Sequence, residues 1–116
     1  MGEMNRRKTG SRYEQKAVDY LERRGLTILE RNYRCRSGEI DVIAEDERYL
    51  VFVEVKYRRD TKKGDPAEAV GFYKQRRIRN AAEYYLYCHQ NRTYVPCRFD
   101  VVSILGEEIR WIKNAF

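Results

Sequence analysis

Two neighbouring segments decide the fold: Gly38-Glu39-Ile40-Asp41-Val42-Ile43-Ala44 and Tyr49-Leu50-Val51-Phe52-Val53-Glu54-Val55-Lys56. The β-branched residues of the first favour a strand, and the second is the strongest strand pattern in the chain. Polar residues 45–48 between them make a hairpin loop of ordinary length. Strand alternation points Val51, Val53 and Val55 one way, into a core, and sets Glu54 and Lys56 side by side on the other face. A charged pair inside so apolar a strand costs free energy unless partners await it.

The hairpin supplies a partner. A turn centred on Glu47 and Arg48 puts Asp41 directly opposite Glu54, whereas a turn centred on Asp46 and Glu47 puts Glu39 there and leaves Asp41 diagonal. Directly opposed residues have Cβ atoms ~4.5–5.5 Å apart, so either register gathers acids on one face. Carboxylates this close repel, and one is driven toward protonation unless a cation intervenes. Mg²⁺, or Mn²⁺ in its place, suits that need, because Mg²⁺ takes oxygen ligands and often only one or two carboxylates. A metal held by Asp41 and Glu54 could polarise a phosphoryl oxygen, with Lys56 steadying the developing charge or the attacking water. The plain alternative is a cross-strand salt network on a half-exposed sheet.

Outward from the hairpin, the pattern predicts an element order α-β-β-β-α-β-β. Residues 1–10 read as a loose basic arm carrying Arg6, Arg7 and Lys8. Ser11 and Glu14 have capping-box spacing for a first helix, which Tyr13, Ala17, Tyr20 and Leu21 continue and Gly25 stops. Residues 26–29 make a short first strand, followed by Arg31, Arg34 and Arg36 and a loop at Ser37-Gly38. After the hairpin, residues 56–63 hold Lys56, Arg58, Arg59, Lys62 and Lys63 against one acid, Asp60. Gly64-Asp65-Pro66 reads as a break and helix start, with a second helix over residues 67–88 striped by Ile78, Ala81, Ala82, Tyr85 and Leu86. Residues 98–104 and 109–112 form the last two strands. A mixed sheet with helices packed on it buries these faces.

The 116 residues fit one domain, and 42% hydrophobic content suits one packed core. The net charge of +6, with a pI near 9.3, attracts polyanions such as nucleic acid, although a basic surface without a partner has the same balance. Cys35, Cys88 and Cys97 form no CxxC pair and suggest neither a disulfide framework nor a zinc knuckle. His89 reads as a surface residue. There is no signal-peptide pattern and no apolar run of transmembrane length, which points to a soluble, cytoplasmic protein with no membrane partner. Tyr13, Tyr20 and Tyr85 lie on apolar stripes and read as core. Tyr33, Tyr57 and Tyr73 adjoin basic residues and are the better candidates for stacking on bases.

The hairpin's Asp41 and its Glu54-Val55-Lys56 element resemble the D…ExK signature of the PD-(D/E)xK nuclease superfamily, which includes restriction endonucleases and archaeal Holliday-junction resolvases. Most of residues 10–105 is similar to the YraN family of small bacterial proteins. The similarity runs through Gly10 and Glu14, the 38–44 segment, Phe52-Val53-Glu54-Val55-Lys56, the Lys74-bearing helix and Arg98-Phe99-Asp100-Val101-Val102. It implies a restriction-endonuclease-like fold with Asp41 and Glu54 as metal-binding acids, Lys56 as the catalytic lysine and Glu14 as a first-helix acid joining the site. The chain departs from the pattern where Ile40 replaces the proline before Asp41. It also departs where Arg79 stands at the tyrosine position of a QxxxY motif begun by Gln75. Asp100 is explained equally by a salt bridge to Arg98.

Three functions follow as expectations. The first is a Mg²⁺- or Mn²⁺-dependent DNA endonuclease acting on branched or damaged DNA. Arg58, Arg59, Lys62, Lys63, Lys74 and Arg77 would hold phosphates, giving preference for structure over sequence. Cutting both strands of a symmetric junction would suit a two-fold homodimer. The second is a catalytically silent DNA- or RNA-binding adaptor in repair, recombination or uptake, and the third is a module binding an acidic protein.

Overall fold

The computed structural model describes residues 2–60, 62, 70–89 and 95–116, with side chains from residue 12 onward. The elements are α1 (Gly2–Arg23), β1 (Thr27–Cys35), β2 (Gly38–Asp46), β3 (Tyr49–Arg58), α2 (Phe72–His89), β4 (Cys97–Leu105) and β5 (Glu108–Ile112). They form a mixed five-stranded sheet in the order β1-β2-β3-β4-β5 with two helices. Only β3 and β4 run parallel, because α2 lies between them in the chain and a parallel neighbour needs such a crossover. The expected order α-β-β-β-α-β-β is therefore found.

Both faces of the sheet are covered. Ala17, Val18 and Leu21 of α1 pack on Val42, Ala44, Val51, Val53, Val102 and Ile104. Ile78, Ala81, Ala82 and Tyr85 of α2 pack on Ile40, Ile43, Leu50, Phe52 and Val101. A strand buried on both sides reads as a continuous apolar run, which is why residues 50–53 of β3 are all buried. Glu54 and Lys56 fall on the α2 side, continuing the alternation of Leu50 and Phe52, opposite the valines that meet α1.

Several boundaries differ from expectation. Residues 2–10 are not an arm: α1 begins at Gly2, so residue 11 lies inside the helix and not at its start. The strong helix formers Glu3, Met4, Arg6, Arg7 and Lys8 carry the helix through Gly10, whose interior cost is only about 1 kcal/mol. Gly25 does stop α1. At φ 96° it lets Leu26 N–H reach the Leu21 carbonyl at 3.1 Å, a closure that favours glycine. The first strand is far longer than residues 26–29 and runs to Cys35; its charged residues suit an exposed sheet edge. Helix α2 starts at Phe72, after the expected position, while the Gly64-Asp65-Pro66 break and residues 67–69 lie outside the described residues. Tyr33, expected on the surface, is buried edge-on against Tyr85, and Tyr57 stacks on Tyr13. Asp100 is fully buried and accepts from Arg98, Trp111 Nε1 and the Asn114 N–H, so the salt-bridge account of it holds.

Candidate functional site

The hairpin takes the first of the two registers. Asp46 pairs with Tyr49 and Val42 with Val53, and one further step brings Asp41 to the level of Glu54. There the two strands part. The β2–β3 ladder ends at Val42↔Val53, while β3 continues to Arg58 paired only with β4. Into the opening goes the Asp41 carboxylate, whose Oδ2 accepts the Val55 N–H at 2.8 Å. A side chain thus takes a hydrogen bond that a ladder carbonyl would otherwise have held.

Strand β2 turns over at Asp41. Ile40 belongs to the α2 core and Val42 to the α1 core, although residues two apart on a regular strand share a face. The irregularity is matched on β1. Its ladder pairs Arg31 with Val42 and Tyr33 with Ile40, and Asn32 between them has φ 52°. Asparagine tolerates this left-handed conformation better than most residues. Its side chain is used as well, since Asn32 Nδ2 donates to Glu14 Oε1 at 2.8 Å. Glu14 also meets Arg31 Nε at 3.4 Å. Burial, then the charge of Asp41, raise the Glu14 carboxyl above its usual range, which brings α1 into the electrostatics of the cleft.

Glu54 is the anomalous group. It is only 8% exposed, and burial together with the hydrogen bond and charge of Asp41 pushes its carboxyl up to about 9. Helix α2 offers a partial counter-charge: Lys74 Nζ lies 3.6 Å from Glu54 and 3.1 Å from Glu39. Arg77 donates from Nη2 to Glu39 at 2.8 Å, and this bond above all lowers Glu39 to about 2. Burial disfavours the Lys74 ammonium, yet Glu54, Glu39 and Asp41 outweigh it and raise its pKa. The close seating of α2 depends on Gly38, where a Cβ would collide with the Arg77 carbonyl.

The fold thus sets Asp41 beside Glu54, with Glu14 of α1 within reach of the charge of Asp41 and Glu39 held from α2. Lys56 is half-buried on the same strand face as Glu54, paired across β4 with Ser103, and forms no ion pair among the described residues. Arg58, Arg59 and Lys62 are exposed just beyond it, and Lys63 lies outside the described residues. Lys74 and Arg77, read from the sequence as phosphate holders, instead face the carboxylates. Sequence reasoning missed Asn32. Its one signal is an asparagine, a poor strand former, set in a run of long charged and aromatic side chains.

The donors suit a hard cation. Among the described residues no group of three or more His, Cys, Asp or Glu could hold a metal ion, so the set is the Asp41–Glu54 pair. Two carboxylates suffice for Mg²⁺, which keeps several of its waters. Burial above all, and then Asp41, raise the Glu54 carboxyl by more than Lys74 lowers it.

The fold and cleft together define a mixed α/β protein with a carboxylate–lysine site where two central strands diverge. The model of the uncharacterised protein family UPF0102 matches residues 13–104, and the chain belongs to that family, the YraN proteins. A UPF0102 protein of Lachnoclostridium phytofermentans is 56% identical over 113 residues, covering 97% of this chain and 96% of that one. Those of Saccharophagus degradans and Nitrosococcus oceani are 45% and 46% identical, each covering 92% of the relative. Among the described residues no helix is long and apolar enough to cross a membrane.

Proposed function

We propose that this chain is a metal-dependent endonuclease of the PD-(D/E)xK type that cuts DNA, preferring branched or damaged structures over sequence. The observation that carries the reading is the Asp41 carboxylate seated on the Val55 N–H beside buried Glu54, where β2 leaves β3. Asp41 and Glu54 would hold Mg²⁺ or Mn²⁺, with Glu14 of α1 within reach of the charge of Asp41. When bound, the ion supplies Lewis-acid polarisation of the phosphate and a more acidic water. Lys56 Nζ orients the attacking water and stabilises the charge that grows on the phosphoryl oxygens. Water adds to phosphorus, one P–O ester bond breaks, and the departing alkoxide takes up a proton. Arg58, Arg59 and Lys62, exposed beyond Lys56, position the backbone through its phosphates, with Lys63 next in the chain.

Flap, fork, four-way and linear DNA incubated with Mg²⁺ or Mn²⁺ test this, beside Asp41→Asn and Lys56→Ala. Branched DNA should be cut by the wild type and spared by both variants. Cleavage that survives both substitutions would end the assignment.

A second reading, a silent nucleic-acid-binding adaptor, is favoured by Lys74. It already bridges Glu54 and Glu39, so the acids have a counter-ion without any metal. DNA binding without cleavage by wild type would select it. Nucleic-acid affinity that is absent or insensitive to salt would favour the acidic-protein partner instead.

A further inference from the structure

Helix α2 leaves large aromatic side chains in solvent along one flank. Tyr73, Tyr84 and Tyr87 are 74%, 49% and 85% exposed. At 3.6 residues per turn, Tyr73, Asn80, Tyr84 and Tyr87 fall on a single stripe. This stripe lies toward the flank from which Lys74 and Arg77 reach Glu39. Exposed aromatics in such a row are not explained by packing, because the buried stripe of Ile78, Ala81, Ala82 and Tyr85 already seats the helix.

The stripe also has a wall opposite. Ser37, in the turn between β1 and β2, faces Asn80, Glu83, Tyr84 and Tyr87 across an open groove of about 440 Å³. Gly38 rests on the Arg77 backbone beside it, and Glu39, the next residue, belongs to the carboxylate cluster. Groove and cluster are therefore two residues apart along one strand, about 7 Å. Exposed Arg36 precedes Ser37 in the chain, and exposed Arg76 lies one helical turn before Asn80.

We infer that the α2 flank, from Tyr73 to Tyr87 with the Ser37 groove, is a track for single-stranded DNA whose unpaired bases stack on the tyrosines. The inference deepens the proposed function by naming the feature of the substrate that is recognised, a single-stranded arm, and rests on that reading for any link to cleavage. Charge favours this occupant: the chain is +6 overall, and exposed Arg36 and Arg76 stand next to Ser37 in the chain and one helical turn before Asn80, so a polyanion is attracted. Every base has a π-face, so stacking supplies affinity without reading sequence. Duplex DNA hides those faces. Glu83, the acid in the groove, accepts from base N–H groups and repels backbone phosphate, which orients the strand bases-inward.

The test is fluorescence anisotropy of a labelled oligothymidylate and of a blunt duplex of equal length, both in EDTA. Wild type should bind the single strand more tightly. Tyr84→Ala/Tyr87→Ala should weaken that binding by about tenfold or more, while Tyr84→Phe/Tyr87→Phe, which keeps both rings, stays within about twofold. Both pairs are exposed, so melting temperatures near wild type should show intact folds. Equal affinity in the alanine variant, or a wild type preferring the duplex, would overturn the inference. So would a dimer, abolished by the alanines, with no oligonucleotide affinity. Because EDTA removes cleavage from the measurement, the two ideas fail separately. Ring-dependent binding by a protein that never cuts sinks the nuclease alone, and cleavage with ring-independent binding sinks the track alone.

Discussion

Replacing Glu54 by glutamine should make the protein more stable at neutral pH, and by an amount that depends on pH. In the folded chain this carboxyl is raised from 4.5 to about 9, by burial first and then by Asp41. A group raised on folding favours the folded state fully below 4.5, and that contribution drains away as the pH climbs toward 9. Each pH unit in that window costs about 1.36 kcal/mol, so ionisable Glu54 works against folding by about 3 kcal/mol at pH 7 and under about 1 kcal/mol at pH 5. Glutamine keeps the shape and cannot ionise. Urea denaturation of wild type and Glu54→Gln at pH 5, 7 and 8 should therefore show a gap that widens with pH in favour of the variant. Saturating Mg²⁺ should narrow the gap at pH 7 by stabilising only the wild type, since a cation favours the charged carboxylate. A gap that is flat across pH, or a variant less stable than wild type throughout, would refute the reasoning and mark Glu54 as an ordinary ion-pair partner of Lys74.

Other perturbations have equally direct readouts. Asn32→Ala should cost about 1–2 kcal/mol in urea denaturation, because alanine is strained at φ 52°, whereas Asn32→Gly relieves that strain. Both variants lose the bond to Glu14 and should weaken Mn²⁺ binding in calorimetry. Asp100→Ala should destabilise by about 3–5 kcal/mol, since it strands the Arg98 guanidinium with only Asp46 and frees Trp111 Nε1. Trp111 fluorescence should follow that loss. Glu39→Gln should cost only about 1 kcal/mol at pH 7, because the pair is a third exposed and screened by solvent. Glu39 is lowered on folding to about 2, so its contribution is present above 4.5 and lost as the pH falls toward 2; the variant and wild type should converge in acid.

The element order and the hairpin that gathers acids on one face could be read from the sequence because both rest on local rules. Two registers, with Asp41 or Glu39 opposite Glu54, stayed open, and only the ladder decides between them. Period-two alternation and a short polar loop fix a hairpin almost by themselves. What could not be read was non-local. Lys74 and Arg77 meet Glu39 from 35 and 38 residues away, and nothing in either segment distinguishes a lysine aimed at a carboxylate from one aimed at phosphate. The turning-over of β2 at Asp41 depends on the backbone of Asn32 in the neighbouring strand, a two-strand property with no one-strand signature. The long β1 was missed for a simpler reason. An edge strand with polar residues on both sides lacks the apolar pattern by which strands are recognised.

The energetics of Glu54 bear on why these acids sit in a cleft at all. A carboxylate used only to hold the fold would be expected to lie low, as Glu39 does under Arg77, because its charge would be welcomed. Glu54 stands on the opposite side of the ordinary value although Lys74 is only 3.6 Å away. The same lysine serves Glu39 at the shorter distance of 3.1 Å, so the ammonium is shared and Glu54 takes the smaller part. The arrangement keeps one buried acid short of positive charge at neutral pH, at a cost to folding that a better-paired residue would avoid. A divalent ion between Asp41 and Glu54 would have to displace the proton that Glu54 holds at neutral pH, so its affinity would rise as the pH climbs toward 9. On this account metal binding and Glu54's share of the pH dependence of unfolding turn on the same proton. Glu54→Gln should therefore remove both Glu54's share of that pH dependence and the rise of Mn²⁺ affinity with pH, and no purely structural role for Glu54 requires the second.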